Sequence, residues 1–145
     1  MTKETLLEEA MLTPVLGLFP ASTHKHCEQF PLGRKKIDLV CVEQAVPNSI
    51  ISIELKISDW RKALWQASIN RQLAHRSYVA IWHEYVHRAK KEYDLFVSYN
   101  VGLIAVYSDK AEILIEPQKC ARRVSRHEKC DWYKQLMAAD SEACK

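Results

Sequence analysis

The chain has 145 residues, of which 48% are hydrophobic and 27% are charged, and its formal net charge is +3. These values are typical of one globular domain, and the 3 glycines are too few for a glycine-rich phosphate loop. The longest apolar run, residues 101–107, is too short to span a bilayer, and the acidic N-terminus lacks a signal-peptide core. Because the 5 cysteines contain no C-x-x-C pair, we expect free thiols, as in a cytoplasmic protein. We also expect a single domain over residues 1–145, without membrane contact.

The first half of the chain predicts a helix followed by strands. Apolar residues recur at helical spacing over 3–12, and Pro14 disfavours continuation of that helix. Residues 23–30 are a poor strand candidate and precede a turn signal, "PLG". The alternating pattern that follows predicts one strand at 35–43, a turn at 44–49 and a second strand at 50–57.

The second half alternates helices with strands. Ser58 is a suitable N-cap for a helix running to about His75, and Asp59 suits the positive end of that helix. The remaining predicted elements are a strand at 77–82, a helix at 84–98 that ends near Asn100, strands at 102–107 and 111–116, and a helix at 121–139. This order predicts an α/β domain in which helices flank a central mixed sheet.

Two charges interrupt the apolar strand "IISIELKI". Glu54 and Lys56 share a strand face because side chains alternate, while the apolar residues between and around them share the other face. An exposed Glu/Lys pair would be unremarkable on a solvated sheet. Burial of two charges costs several kcal/mol unless they are paired or used in function.

The hairpin brings a third charged residue to this patch. A turn centred near Val46 pairs residues whose numbers add to 92, so Asp38 should lie opposite Glu54. Two close carboxylates repel each other and favour a bound cation, and oxygen ligands favour Mg²⁺. A neighbouring lysine can then hold an oxyanion or a water molecule.

These segments resemble the PD-(D/E)XK nuclease superfamily, which has a restriction-endonuclease-like fold. The resemblance rests on "KKIDLV", on "SIELK" after one turn, and on a following helix that contains a glutamine. It covers about residues 3–116 and implies an αβββαβ core, which the strand pair extends. Residues 117–145 lie beyond it and are expected to be a basic helical extension. The resemblance also implies that Asp38 and Glu54 bind Mg²⁺, with Mn²⁺ as a substitute, and that Lys56 activates the attacking water.

The resemblance extends to two further positions and departs at two others. Gln66 matches a helical glutamine that positions the water or the scissile strand, and a glutamate of the first helix is expected near the metal. Glu8 is favoured for that glutamate, with Glu4 and Glu9 as alternatives. Ile37 stands where many members have proline, and Asn70 stands where an aromatic residue often follows the glutamine.

Several basic side chains are candidates for binding phosphates. The alternative is that they form an ordinary solvated surface, whose positive charge is balanced by the 18 acidic residues. Those that we expect to contact nucleic acid are Arg34, Lys35, Lys36, Arg61, Lys62, Arg122, Arg123 and Arg126.

The sequence therefore favours a Mg²⁺-dependent nuclease that acts on DNA in repair, recombination or defence, with RNA left open as a substrate. The resemblance also implies a homodimer or a complex with a partner protein, because small stand-alone members of the superfamily often assemble in this way. The alternative is a non-catalytic nucleic-acid-binding or assembly module on the same fold. A third hypothesis is a zinc hydrolase, because residues His83, Glu84 and His87 form an H-E-x-x-H pattern.

Overall fold

The computed structural model describes residues 3–45 and 49–118. The elements are α1 (Lys3–Leu16), β1 (His24–Leu32), β2 (Lys35–Glu43), β3 (Ile50–Lys56), α2 (Trp60–Asn70), β4 (Arg76–Trp82), α3 (Val86–Lys90), α4 (Tyr93–Tyr99), β5 (Gly102–Val106) and β6 (Ala111–Ile115). The predicted helix at 121–139 lies outside the described residues. None of the helices in the described ranges combines the length and the apolarity that crossing a bilayer requires.

The six strands form one mixed sheet in the order β1-β2-β3-β4-β5-β6. β2 is antiparallel to both β1 and β3, whereas β3, β4 and β5 run parallel, and β6 returns antiparallel to β5. Helical crossovers connect the parallel strands, as such pairs require. This architecture confirms the predicted α/β class, and it is compatible with a restriction-endonuclease-like core.

Different helices cover the two faces of the sheet. The face covered by α1 buries the alternating apolar residues of β3 and the residue that follows it, namely Ile51, Ile53, Leu55 and Ile57. The opposite face packs β4 and β5 against α2, α3 and α4. The buried apolar residues of α2 recur at helical spacing and are Trp60, Ala63, Leu64 and Ala67. The other side chains of β3 therefore point toward the α2 layer.

The predicted register of the β2–β3 hairpin is confirmed. Leu39 pairs with Ile53, and Val42 pairs with Ile50, so paired residue numbers add to 92. The apolar alternation fixes this register, because a slip by one residue would move the buried side chains to the wrong face. Asp38 and Glu54 are the next two residues beyond the last pair of the ladder.

Two predictions for the N-terminal part were wrong. α1 continues past residue 12 to Leu16 and includes Pro14. Burial of Val15, which is 0% exposed, offsets the hydrogen bond that the proline cannot donate. The poor strand candidate is β1, a nine-residue strand paired with β2 over most of its length. Pairing with a neighbouring strand compensates for its weak local preference.

The helices after β3 also differ from prediction. Asp59, rather than Ser58, caps α2 by accepting a hydrogen bond from the backbone N–H of Lys62 at 3.2 Å. α2 ends at Asn70 instead of continuing to about residue 75, and His75 N–H donates to Ile50 O at 2.8 Å as β4 begins. The helix predicted at 84–98 is divided into α3 and α4, and no glycine or proline marks the division.

Candidate functional site

Asp38 and Glu54 lie side by side where β2 and β3 stop pairing. The Asp38 carboxylate accepts a hydrogen bond from the backbone N–H of Leu55 at 2.8 Å, which satisfies a donor at the end of the ladder. Asp38 is half-buried, and Glu54 is only 1% exposed. The structure therefore brings the two predicted acids together, and one of them is deep in the protein.

The environment of Glu54 changes its acidity. Burial and the charge of Asp38 raise the pKa of Glu54 from its ordinary value of 4.5 to about 7. The hydrogen bond from Asn70 and the charge of Lys35 act in the opposite direction. Glu54 consequently changes protonation state near neutral pH, as side chains at functional sites often do.

A lysine and an asparagine that sequence analysis did not connect with Glu54 hold its carboxylate. Asn70 Nδ2 donates to Glu54 Oε2 at 2.7 Å, and Lys35 Nζ lies 3.8 Å from the same oxygen. Lys35 Nζ also donates to Asn70 Oδ1 at 2.7 Å and to the Gln66 carbonyl at 3.3 Å. The sequence alone marks Asn70 only as a departure from the family pattern, and Lys35 only as a candidate for binding phosphate.

Lys56 and Gln66 remain available for other contacts. Lys56 is partly exposed, and its side chain makes no hydrogen bond or ion pair within residues 3–45 and 49–118. The Gln66 side-chain oxygen is buried and has no hydrogen-bond partner in the same ranges. A buried amide oxygen without a partner loses about 1–3 kcal/mol of solvation. Gln66 therefore presents an unsatisfied acceptor next to the Lys35–Asn70–Glu54 cluster.

An opening of about 330 Å³ lies beside Asp38. Its lining is strongly acidic and comes from α1, β1, β2 and β3, and the residues are Glu8, Glu9, Leu12, Glu28, Gln29, Asp38 and Leu55. The favoured Glu8 and its alternative Glu9 both reach this opening, whereas the side chain of Glu4 lies outside the described part of the chain. Glu28 and Gln29 belong to β1, the strand with the weakest local sequence signal, so the sequence does not predict their place at this opening.

The strand β1 is distorted at the edge of this opening. Gln29 has a φ of 53°, in the left-handed region that non-glycine residues seldom adopt. It is the residue of β1 that faces Asp38 in the register, and it is missing from an otherwise continuous ladder. Such a conformation costs about 1–3 kcal/mol and is concentrated at functional sites.

The donor set fits a Mg²⁺ ion bound by two carboxylates. Mg²⁺ in proteins commonly binds one or two carboxylates and keeps several water molecules. Asp38 and Glu54 supply the two carboxylates, and Gln66 supplies a buried oxygen without a partner. In the described ranges, no three His, Cys, Asp or Glu side chains are close enough to hold one ion together. A Mg²⁺ ion held by Asp38 and Glu54 would therefore need water to complete its coordination.

The H-E-x-x-H pattern does not form the arrangement that a zinc hydrolase needs. That arrangement places both histidines on one helix. Here α3 begins at Val86, so His83 and Glu84 precede it. The His83 ring stacks on Tyr107 with a centroid distance of 4.8 Å, and His87 is exposed. The zinc hypothesis therefore loses its structural basis.

The predicted phosphate-binding residues are divided between several places. Arg34 and Lys36 are exposed at the β1–β2 hairpin, and Arg61 and Lys62 are exposed in the first turn of α2. The Arg61 guanidinium lies over the Trp60 ring at 4.9 Å. Arg122, Arg123 and Arg126 lie outside the described residues.

No protein-family model and no curated protein matches the chain. Among solved structures, a protein of unknown function from Silicibacter pomeroyi is similar with a TM-score of 0.69 and 15% identity, over 92% of this chain and 86% of that chain. SfsA from Pyrococcus furiosus, solved in complex with Ca²⁺, has a TM-score of 0.41 and 8% identity, over 77% of this chain and 61% of that chain. The first similarity shows a shared fold over most of both chains.

Proposed function

We propose that this protein is a Mg²⁺-dependent nuclease of the PD-(D/E)XK type that hydrolyses phosphodiester bonds in DNA. The observation that supports this most strongly is the placement of Asp38 and Glu54 as adjacent carboxylates at the end of the β2–β3 ladder. Two adjacent carboxylates inside a protein repel each other, which is unfavourable. A cation bound between them would offset this repulsion.

The residues around the two acids have separate roles in this proposal. Asp38 and Glu54 would hold Mg²⁺, which supplies an activated water and neutralises charge on the scissile phosphate when bound. The Lys56 side chain has no partner in the described part of the chain, so it could orient that water or offset phosphate charge. The unsatisfied side-chain oxygen of Gln66 can accept a hydrogen bond from water or from the nucleic acid. Glu8 and Glu9 line the opening and would bind the metal through water.

The alternative function is a nucleic-acid-binding or assembly module without catalysis. Its support is the exposure of Arg34, Lys36, Arg61 and Lys62, which can neutralise phosphates without any metal. A module of that kind has no use for a buried Glu54 with a raised pKa. The nuclease proposal therefore accounts for more of the structure. A role in repair, recombination or defence, as part of a dimer or a larger complex, belongs to the same proposal.

Cleavage of plasmid, single-stranded and branched DNA, with RNA as a further substrate, tests the proposal in Mg²⁺, Mn²⁺ and EDTA. We expect metal-dependent cleavage by the wild-type chain and a loss of roughly a thousandfold in Asp38→Ala and Glu54→Ala, because each removes a ligand worth several kcal/mol. Circular dichroism would verify that both variants remain folded.

Gln44→Ala is a matched control, since Gln44 is an exposed residue beyond the far end of β2. Cleavage that persists in EDTA or in both alanine variants would contradict the proposal. DNA binding that is indifferent to divalent metal, without cleavage, would support the non-catalytic module instead.

A further inference from the structure

We infer that Lys35 and Asn70 are positioning residues that hold the Glu54 carboxylate in the orientation required for metal binding. This inference rests on the proposed function and assigns a role to two residues for which the resemblance to nucleases supplies none. Neither residue would touch the metal or the substrate, since both act through Glu54.

The contacts form a closed set of three side chains from three elements. Asn70, from the last turn of α2, donates to Glu54 Oε2 at 2.7 Å and accepts from Lys35 Nζ at 2.7 Å. Lys35 Nζ completes the set at 3.8 Å from the same Glu54 oxygen. Because the amide both donates and accepts, its rotation is fixed, and the ammonium and carboxylate are fixed with it.

The hairpin that carries Lys35 is built to reach this position. Leu32 pairs with Lys35 across a two-residue turn in which Gly33 has a φ of 62°. Lys35 then donates to the Gln66 carbonyl at 3.3 Å, near the C-terminal end of α2, where the helix dipole favours a cation. Its side chain is 25% exposed, whereas Asn70 is 0% exposed.

The contacts of Glu54 with Lys35 and Asn70 fall on one of its oxygens. Asn70 and Lys35 both approach Oε2, which leaves Oε1 without a contact to either residue. A carboxylate that is held through one oxygen presents the other in a defined direction, and this lowers the entropy lost on binding a metal. Lys35 and Lys56 consequently differ in role, because Lys35 is committed to Glu54, whereas the Lys56 side chain has no partner among the residues that the structure describes.

Calorimetric titration with Mn²⁺ tests this inference on the full chain, using wild type, Lys35→Met and Asn70→Leu. The titration is made at alkaline pH, so that loss of affinity reports orientation rather than protonation of Glu54. We expect each variant to bind Mn²⁺ about 10–100-fold more weakly, which is the usual effect of removing a partner of a metal ligand. Lys35→Arg keeps the charge and donors and should recover part of the affinity.

Cleavage kinetics provide a readout that a purely structural role would not change. The Mg²⁺ concentration for half-maximal cleavage should rise by about the same 10–100-fold in both variants, while the rate at saturating Mg²⁺ changes far less. Lys90→Met and Gln72→Leu remove the same groups from exposed positions and should bind Mn²⁺ like wild type.

Two results would contradict the inference, and they are distinguishable. Wild-type Mn²⁺ affinity in Lys35→Met and Asn70→Leu would overturn the positioning role and leave the nuclease proposal intact. Absence of Mn²⁺ binding by the wild-type chain would overturn the proposed function itself, together with the metal-directed role of Lys35 and Asn70. If Asn70→Leu does not fold, the more exposed Lys35→Met still decides the question.

Discussion

Two central strands, β3 and β5, differ in what they bury. All five residues of β5 are buried, and its sequence, GLIAV, is entirely apolar. β3 is buried over its first six residues, yet two of these are Ser52 and Glu54. Both strands lie inside the same sheet and have neighbours on both sides, so position in the sheet does not explain the difference.

The comparison separates what a sheet needs from what a site needs. β5 shows that an apolar sequence alone suffices for a strand covered on both faces. In β3, Ser52 donates to Ser77 at 2.8 Å, and Glu54 requires Asn70 and Lys35 to be accommodated. β3 therefore retains polar groups that weaken the core, which favours a functional explanation for Glu54.

Truncation in β5 should have the largest effect on stability. Ile104 is 0% exposed and belongs to the cluster under α1, so Ile104→Ala should lower the free energy of unfolding by about 2–5 kcal/mol through lost burial and a cavity. Urea denaturation measures the change. Leu95→Ala, at a residue that is 37% exposed, is the control and should lose less than about 1 kcal/mol. Equal losses would show that β5 is not part of a tightly packed core.

Removal of the Glu54 charge in β3 should instead raise the free energy of unfolding. Glu54→Gln should raise the free energy of unfolding by up to about 3 kcal/mol above pH 7, because the amide avoids the ionisation of a buried carboxyl whose pKa is about 7. Urea denaturation in EDTA, repeated across the pH range, measures this. Metal binding should be lost in the same variant, so stability and function would oppose each other at one residue.

The pH dependence of the wild-type chain supplies the check. The pKa of Glu54 is raised in the folded state, so the folded chain binds more protons than the unfolded chain between its ordinary value of 4.5 and about 7. The contribution of Glu54 to stability should therefore fall as pH rises through that window, and Glu54→Gln should lack this dependence. Wild-type and variant curves that remain parallel from acid to neutral pH would contradict the raised pKa.

The smallest expected effect concerns the serine pair at the other end of β3. Ser52→Ala leaves the Ser77 hydroxyl buried without its donor and should lower the free energy of unfolding by about 1–2 kcal/mol. Ser52→Ala combined with Ser77→Ala should cost less than the sum of the single changes, because both partners are then removed. Thermal unfolding of the three variants measures the coupling. Additive losses would mean that the two hydroxyls do not interact.

The central part of the site follows from local sequence rules. The alternation of apolar residues in β2 and β3 fixes the hairpin register, and the register alone places Asp38 beside Glu54. The helical spacing of α2 likewise predicts its buried face, including Trp60 and Ala63. These predictions succeed because each depends on neighbours that are close in sequence or connected by one short turn.

Other features depend on contacts between distant segments. β1 has a weak strand signal and forms because β2 offers it hydrogen-bond partners, and only then do Glu28 and Gln29 reach the opening near Asp38. The end of α2 at Asn70 is another such feature, because the helical sequence pattern continues toward residue 75 and does not predict it.

The sequence by itself determined the α/β class, the hairpin register and the pair of acids, because side-chain periodicity specifies strands, faces and their nearest partners. Only the tertiary structure decided which groups surround Glu54. Lys35 is separated from Asn70 by 35 positions, and Asn70 is separated from Glu54 by 16. No local preference links residues that far apart, whereas packing of the hairpin and α2 against the sheet brings their polar atoms within hydrogen-bonding distance.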